Sequence, residues 1–248
     1  MSATENRPLR IAVVYPDLLG TYGDGGNGLV LSRRAERRGL AVQLIEAGSD
    51  RPLPDADIYT LGGGEDGPQV QATRSLAADG MLARAAARGA VIFGVCAGYQ
   101  ILGTTFPDAD GTLVPGLGLL DVASARVGAR RAVGEIVVEA KLDGLGALTG
   151  FENHGARTAV GPGASPLGRV RVGIGNGDHT DGAWAGRVVG TYLHGPALAR
   201  NPALADLLLS WATGDSELAP LDDWREQTLR TERLAAALGR RAALRRTR

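Results

Sequence analysis

The chain of 248 residues contains one cysteine, Cys96, which excludes an internal disulfide and a multi-thiolate metal site. The thiol is therefore either packing filler or reactive chemistry, and its context has to decide which. Histidine is nearly as scarce, with only His154, His179 and His194. An excess of charge of one sign is missing too: 27 basic residues face 27 acidic ones, so no bulk field draws the chain to nucleic acid or to an anionic membrane. No apolar stretch approaches the roughly 18 residues needed to span a bilayer, and the opening MSATENRPLR lacks the basic start and apolar core of a signal peptide. A cytoplasmic protein with a small-molecule or protein partner is expected. A Gly-Lys-Ser/Thr phosphate loop is also absent, so any step that activates an acid with ATP needs another polypeptide.

What is present is an alternation of strand-like and helix-like segments. Apolar runs at Arg10 to Val14, Ala41 to Ile45, Ile58 to Leu61 and Val91 to Val95 read as strands. Between them lie a glycine-rich loop around Gly20 to Gly28, a helix over Leu29 to Arg38, and a helical stretch from Val70 to Arg88 that Gly80 interrupts. This order predicts an α/β fold with a doubly wound, mostly parallel, flavodoxin-like sheet covered on both faces. From Leu113 to Val189 short β-like runs take over, among them Gly134 to Ala140, Val170 to Ile174 and Arg187 to Tyr192, and are expected to extend the same sheet. Helix returns at Pro202 to Trp211 and Leu221 to Arg246. The basic end, Arg240 to Arg248, reads as a solvated helix end. One domain spanning residues 1–248, with a C-terminal helical extension from about 221, is the expected organisation.

The segment Gly94-Val95-Cys96-Ala97-Gly98 places the cysteine between a buried strand and a helix in the pattern G-x-C-x-G, a nucleophile elbow with sulfur as the nucleophile. Small neighbours are required at such a crowded turn, and a helix N-terminus aimed at the sulfur favours the thiolate. The amide of Ala97 is placed to bind an oxyanion. A thiolate needs an acid/base partner, and His194, at the end of the run Val188 to Leu193, stands where doubly wound folds gather their sites. His154, in Glu152-Asn153-His154-Gly155, either borders the pocket or belongs to a structural loop; His179 reads as solvated. The loop Gly62-Gly63-Gly64 lets backbone N–H groups approach a substrate oxygen, with Gly63 the expected contributor, although any tight strand-to-helix turn uses glycines in this way.

In order and spacing, the glycine loop, the elbow followed by Gln100, and the late histidine resemble class I, triad-type glutamine amidotransferases. The segments Gly94 to Gln100, Gly150 to Thr158 and Gly190 to Pro196 are similar to the GatD-like subunits of lipid II isoglutaminyl synthases, within the cobyric-acid-synthase-like branch. The resemblance implies the class I amidotransferase fold and hydrolysis of L-glutamine. The ammonia released would pass to a MurT-like, Mur-ligase-family partner in a heterodimer, with ATP and magnesium used by the partner. That partner would amidate the D-glutamate of lipid II in cell-wall peptidoglycan synthesis, while this chain needs no cofactor or metal of its own. By the same likeness Cys96 and His194 are catalytic, Arg131 rather than the adjacent Arg130 grips the glutamine, and Gln100, Gly63 and Ala97 surround it. Triad-type members usually carry a Glu two residues after the histidine; here that position is Pro196. The chain shows no obvious third member, so a carboxylate from the partner, or a Cys–His dyad, is expected. Rival readings are amidation of cobyrinic acid, a cysteine hydrolase working alone, and a silent scaffold for a synthetase.

Overall fold

The computed structural model describes residues 7–126 and 131–246, without the side chains of residues 240–246, so Arg130 and the side chains of the arginine-rich end lie outside the described residues. Strand β1 (Leu9–Val14) opens the chain, followed by a short helix α1 (Pro16–Leu19), helix α2 (Gly26–Glu36), β2 (Val42–Ala47) and β3 (Ile58–Leu61). Helices α3 (Asp66–Asp79) and α4 (Met81–Ala87) come next, then β4 (Val91–Val95) and α5 (Ala97–Leu102). Gly80 separates α3 from α4 as expected, at φ 67°, a left-handed conformation that glycine enters without a Cβ penalty.

The segments between residues 105 and 191 are β5 (Thr105–Pro107), β6 (Leu113–Pro115), β7 (Val122–Arg126), β8 (Ala132–Ala140), β9 (Ala147–His154), β10 (Ala156–Val160), β11 (Gly168–Val172), β12 (Thr180–Asp181), β13 (Ala183–Ala185) and β14 (Val188–Thr191). Helices α6 (Ala197–Arg200), α7 (Pro202–Thr213) and α8 (Trp224–Arg246) follow. The central sheet has six strands in the order β13-β14-β4-β3-β1-β2. All its pairings are parallel except the β13–β14 hairpin at the edge. The runs of β3, β4 and β14 are buried at every position, which is what a parallel sheet covered on both faces demands.

The expectation that the middle region extends this sheet is corrected. Only β13 and β14 join it; the other strands form two separate four-stranded sheets, β10-β7-β5-β6 and β12-β11-β8-β9. Most of their pairings are antiparallel. Strands joined by short glycine-bearing connections fold back on their neighbours, because an antiparallel partner needs no crossover helix. Helix α2 also starts earlier than expected, at Gly26. A Cβ at Gly28 would sit 2.5 Å from Val13 Cγ2, so glycine lets this first turn lie directly on β1. Gly20, Gly23 and Gly25 stay in the expected loop, while Gly26 and Gly28 belong to the helix.

The arginines of α2 do not all face water. Arg34 is buried and forks onto two carboxylates, with Nε to Asp206 Oδ1 at 2.8 Å and Nη1 to Asp223 Oδ1 at 2.7 Å. Arg38 donates to Asp206 Oδ2 at 2.9 Å and to the Ala219 carbonyl at 2.8 Å. This clasp ties α7 and the approach to α8 against the sheet. Arg34→Ala would leave the half-buried Asp223 without its cation and Asp206 with Arg38 alone, and the expected loss is about 2 kcal/mol of unfolding free energy. Chemical denaturation would read this as a lower midpoint at unchanged slope; a wild-type midpoint would mean the clasp carries no stability.

Candidate active site

Four neighbouring parallel strands release their chains at the same sheet edge. Asp24 lies in the loop after β1, Gly63 in the loop after β3, Cys96 directly after β4, and His194 shortly after β14. The register aligns the last three, with Leu61 opposite Gly94 and Thr191 opposite Val95. The carboxyl edge of the sheet thus collects groups that are distant in sequence.

Cys96 sits at φ 53° and ψ −105°, an unusual conformation for a residue with a side chain. The packing around it explains why the neighbours are glycines. A Cβ at Gly98 would lie 2.6 Å from the Leu61 carbonyl oxygen, and one at Gly94 would lie 2.8 Å from the Gly98 carbonyl carbon. Helix α5 begins at Ala97, whose N–H therefore has no carbonyl partner one turn back. The N–H groups of Gly98 and Gln100 are taken by the carbonyls of Gly62 and Cys96, each at 3.0 Å. The elbow expected from G-x-C-x-G is the conformation observed.

His194 is buried, and its Nδ1 lies 2.8 Å from Asp24 Oδ2. Its Nε2 is also buried and has no hydrogen-bond partner among the described residues, and the Cys96 sulfur acts electrostatically on the ring. Burial alone would lower the His194 pKa; the hydrogen bond it donates to Asp24, the neighbouring Cys96 sulfur and the Asp24 charge outweigh it and push it up to about 10. The imidazole is thus held in its charged form between the Asp24 carboxylate and the Cys96 sulfur.

This geometry corrects the expectation that the chain lacks a third member. Asp24 is an acid from the same chain, itself 1% exposed. It was invisible at the family's usual spacing because it lies 170 residues upstream of the histidine. The signal that was available is an acid inside the glycine-rich loop after the first strand, Gly20 to Gly28. Pro196, in the place usually held by Glu, packs on that loop instead: a Cβ at Gly26 would fall 2.5 Å from Pro196 Cγ. Gly63 also differs from expectation, since its N–H donates to Asp24 Oδ2 at 3.0 Å and so steadies the acid.

In front of Cys96 opens a cavity of about 310 Å³ that Ala97, Gln100, Arg131, Asn153 and His154 help to line. Gln100 is buried; it accepts from Gln69 Nε2 at 3.0 Å and donates to the Tyr192 hydroxyl at 3.1 Å. Arg131 is exposed at the cavity wall and its Nε donates to Asn153 Oδ1 at 2.7 Å. The Asn153 carbonyl lies 3.9 Å from Cys96 Sγ. His154 borders the cavity from the end of β9, buried, stacked on Tyr192 with ring centroids 3.8 Å apart, and bonded to Glu152 Oε2 at 3.2 Å. His179 is exposed and takes no part. Among the described residues, no group of three or more His, Cys, Asp or Glu is placed to hold a metal ion, and no helix is long and apolar enough to cross a membrane.

The chain has relatives among known proteins. The chain is 38% identical over 201 residues to the GatD subunit of lipid II isoglutaminyl synthase (glutamine-hydrolyzing) of Staphylococcus aureus strain N315, covering 79% of this chain and 81% of that one. Its counterpart in Streptococcus pneumoniae strain R6 is 34% identical, covering 82% and 80%. A cobyric acid synthase of Pelotomaculum thermopropionicum is 36% identical, covering 82% of this chain and 40% of that longer one. A crystal structure of a glutamine amidotransferase shares the fold, with a TM-score of 0.57 at 21% identity over 82% of this chain and 98% of that one. Residues 10–202 match the CobB/CobQ-like glutamine amidotransferase domain, and the chain belongs to that family.

Proposed function

We propose that this chain is the glutaminase subunit of a two-chain synthetase that amidates the D-glutamate of lipid II, handing ammonia to a MurT-like, Mur-ligase-family partner that uses ATP and magnesium. The observation that carries the chemistry is the line Cys96–His194–Asp24, with Cys96 opening on the cavity. The choice of acceptor is supported by coverage. The GatD relatives are matched over about four fifths of their own lengths, whereas the cobyric acid synthase is matched over 40%.

In this reading the Cys96 thiolate attacks the side-chain amide carbon of glutamine, and the carbonyl oxygen becomes an oxyanion facing the Ala97 N–H at the start of α5. His194 Nε2–H gives its proton to the departing nitrogen, so that ammonia leaves and a thioester remains. Neutral His194 then takes a proton from water, whose oxygen attacks the thioester carbon and displaces the Cys96 thiolate, releasing glutamate. Asp24 holds the ring through Nδ1 and stabilises its charged form; it touches no substrate atom. Arg131 supplies a planar fork for the α-carboxylate.

Cys96→Ala in the complex with the synthetase partner should abolish synthesis from glutamine while sparing synthesis fed with free ammonia, and continued use of glutamine by the variant would sink the assignment. Asp24→Asn addresses the relay. A histidine whose pKa is raised in the folded state donates its proton below that pKa and loses it as pH rises through it. Removing the Asp24 charge should therefore move the alkaline limb of glutaminase kcat to lower pH and reduce kcat by at least about tenfold. A pH profile superimposable on the wild type would show that Asp24 does not act through the ring.

A further inference from the structure

The charges around the cavity do not all cancel. Besides Cys96, its ionisable lining includes Glu65, Asp66, Arg126, Arg131 and His154. Asp66 Oδ2 takes Arg126 Nη2 at 3.1 Å, and His154 Nε2 meets Glu152 Oε2 at 3.2 Å. Glu65 and Arg131 have no ion-pair partner among the described residues. Each is held by a neutral group: the Tyr22 hydroxyl donates to Glu65 Oε1 at 2.9 Å, and Asn153 Oδ1 accepts from Arg131 Nε at 2.7 Å. Burial and the Glu65 carboxylate raise the Tyr22 pKa, so its hydroxyl remains a donor, and the phenol also feels Arg131 and Cys96. The cavity thus presents one oriented negative charge and one oriented positive charge beside the thiol.

We infer that Glu65 receives the α-ammonium group of glutamine while Arg131 receives its α-carboxylate, making Glu65 a specificity-determining residue for free α-amino acids. This rests on the glutaminase reading above. The zwitterionic head of glutamine carries one charge of each sign on two groups attached to the same carbon, and its amide reaches the sulfur by a flexible two-carbon stem. Such a head matches an unpaired carboxylate and an unpaired guanidinium better than a singly charged substrate does, since a monoanion would leave Glu65 uncompensated. The Tyr22 bond fixes the carboxylate without neutralising it. Because Tyr22 also packs against His194, with ring centroids 5.0 Å apart, the ammonium site is anchored to the loop that carries Asp24.

The test compares L-glutamine with glutaramate, which keeps the carboxylate and the amide and lacks the amine, using the full chain with its synthetase partner and reading ammonia release. Glu65→Gln retains an acceptor for Tyr22 and removes only the charge. It should lower kcat/KM for L-glutamine by about tenfold to a hundredfold, through KM with kcat nearly unchanged, and leave kcat/KM for glutaramate unchanged or higher. Tyr22→Phe, which removes the latch and keeps the charge, should preserve the wild-type preference for L-glutamine within about threefold. Parallel losses on both substrates in Glu65→Gln, an unaltered KM for L-glutamine, or a loss of preference in Tyr22→Phe as large as in Glu65→Gln would each overturn the proposal. Wild-type complex that releases no ammonia from L-glutamine would instead overturn the glutaminase reading on which it stands.

Discussion

Everything at this site depends on the backbone at Cys96 being held at φ 53° and ψ −105°. A conformation of this kind costs on the order of 1–3 kcal/mol and persists only where the surroundings over-determine it. Here they do. The Cys96 N–H is bound to the Thr191 carbonyl of the adjacent strand at 2.9 Å, and the Gly98 N–H to the Gly62 carbonyl of the strand on the other side at 3.0 Å. Tyr99 fills the space over Gly190, where a Cβ would come within 2.0 Å of its ring. The elbow is therefore gripped by both neighbouring strands, and the same grip sets the positions of the glycine loop and of His194 relative to the sulfur.

The second consequence is electrostatic. A buried imidazole would ordinarily lose its proton, because burial disfavours the charged form. Asp24 reverses this, and Asp24 is itself affordable in the interior only because Gly63 N–H and His194 share its Oδ2. Its Oδ1 has no partner among the described residues, which leaves the acid fully committed on one oxygen alone. The role of Gly63 follows from crowding as much as from its N–H: a Cβ there would lie 2.8 Å from both His194 Cε1 and the Tyr22 ring. A side chain at that position would push the imidazole off the line to the thiol.

The two small sheets outside the central one build the far wall of the cavity. β9 is stitched to the chain at His194 by reciprocal bonds between Phe151 and His194, 3.1 and 2.8 Å. Strand alternation then sends Glu152 and His154 inward, while Asn153 lies between Arg131 and the thiol. The buried carboxylate of Glu152 accepts the N–H groups of Ile174 at 2.8 Å and Gly175 at 2.9 Å, so the substrate wall is tied to the turn after β11. The second histidine serves this wall as an internally satisfied support, while His194 alone faces the thiol.

The sequence by itself determined the elements with local signatures. The parallel strands are legible as apolar runs, Gly80 as a helix break, and Cys96 as an elbow, because glycine spacing and strand-length apolar runs are consequences of backbone sterics within a few residues. His194 was legible for a related reason, since it closes such a run. What only the tertiary structure decided is which distant groups meet. Asp24 looks like one more polar residue in a glycine loop until β1 and β14 are set in one sheet, and the pairing of the middle strands into two separate sheets depends on contacts that no local pattern encodes. Partnership across 170 residues is settled by where the chain leaves each strand, and a carboxylate acquires its meaning from the ring that folding places 2.8 Å away.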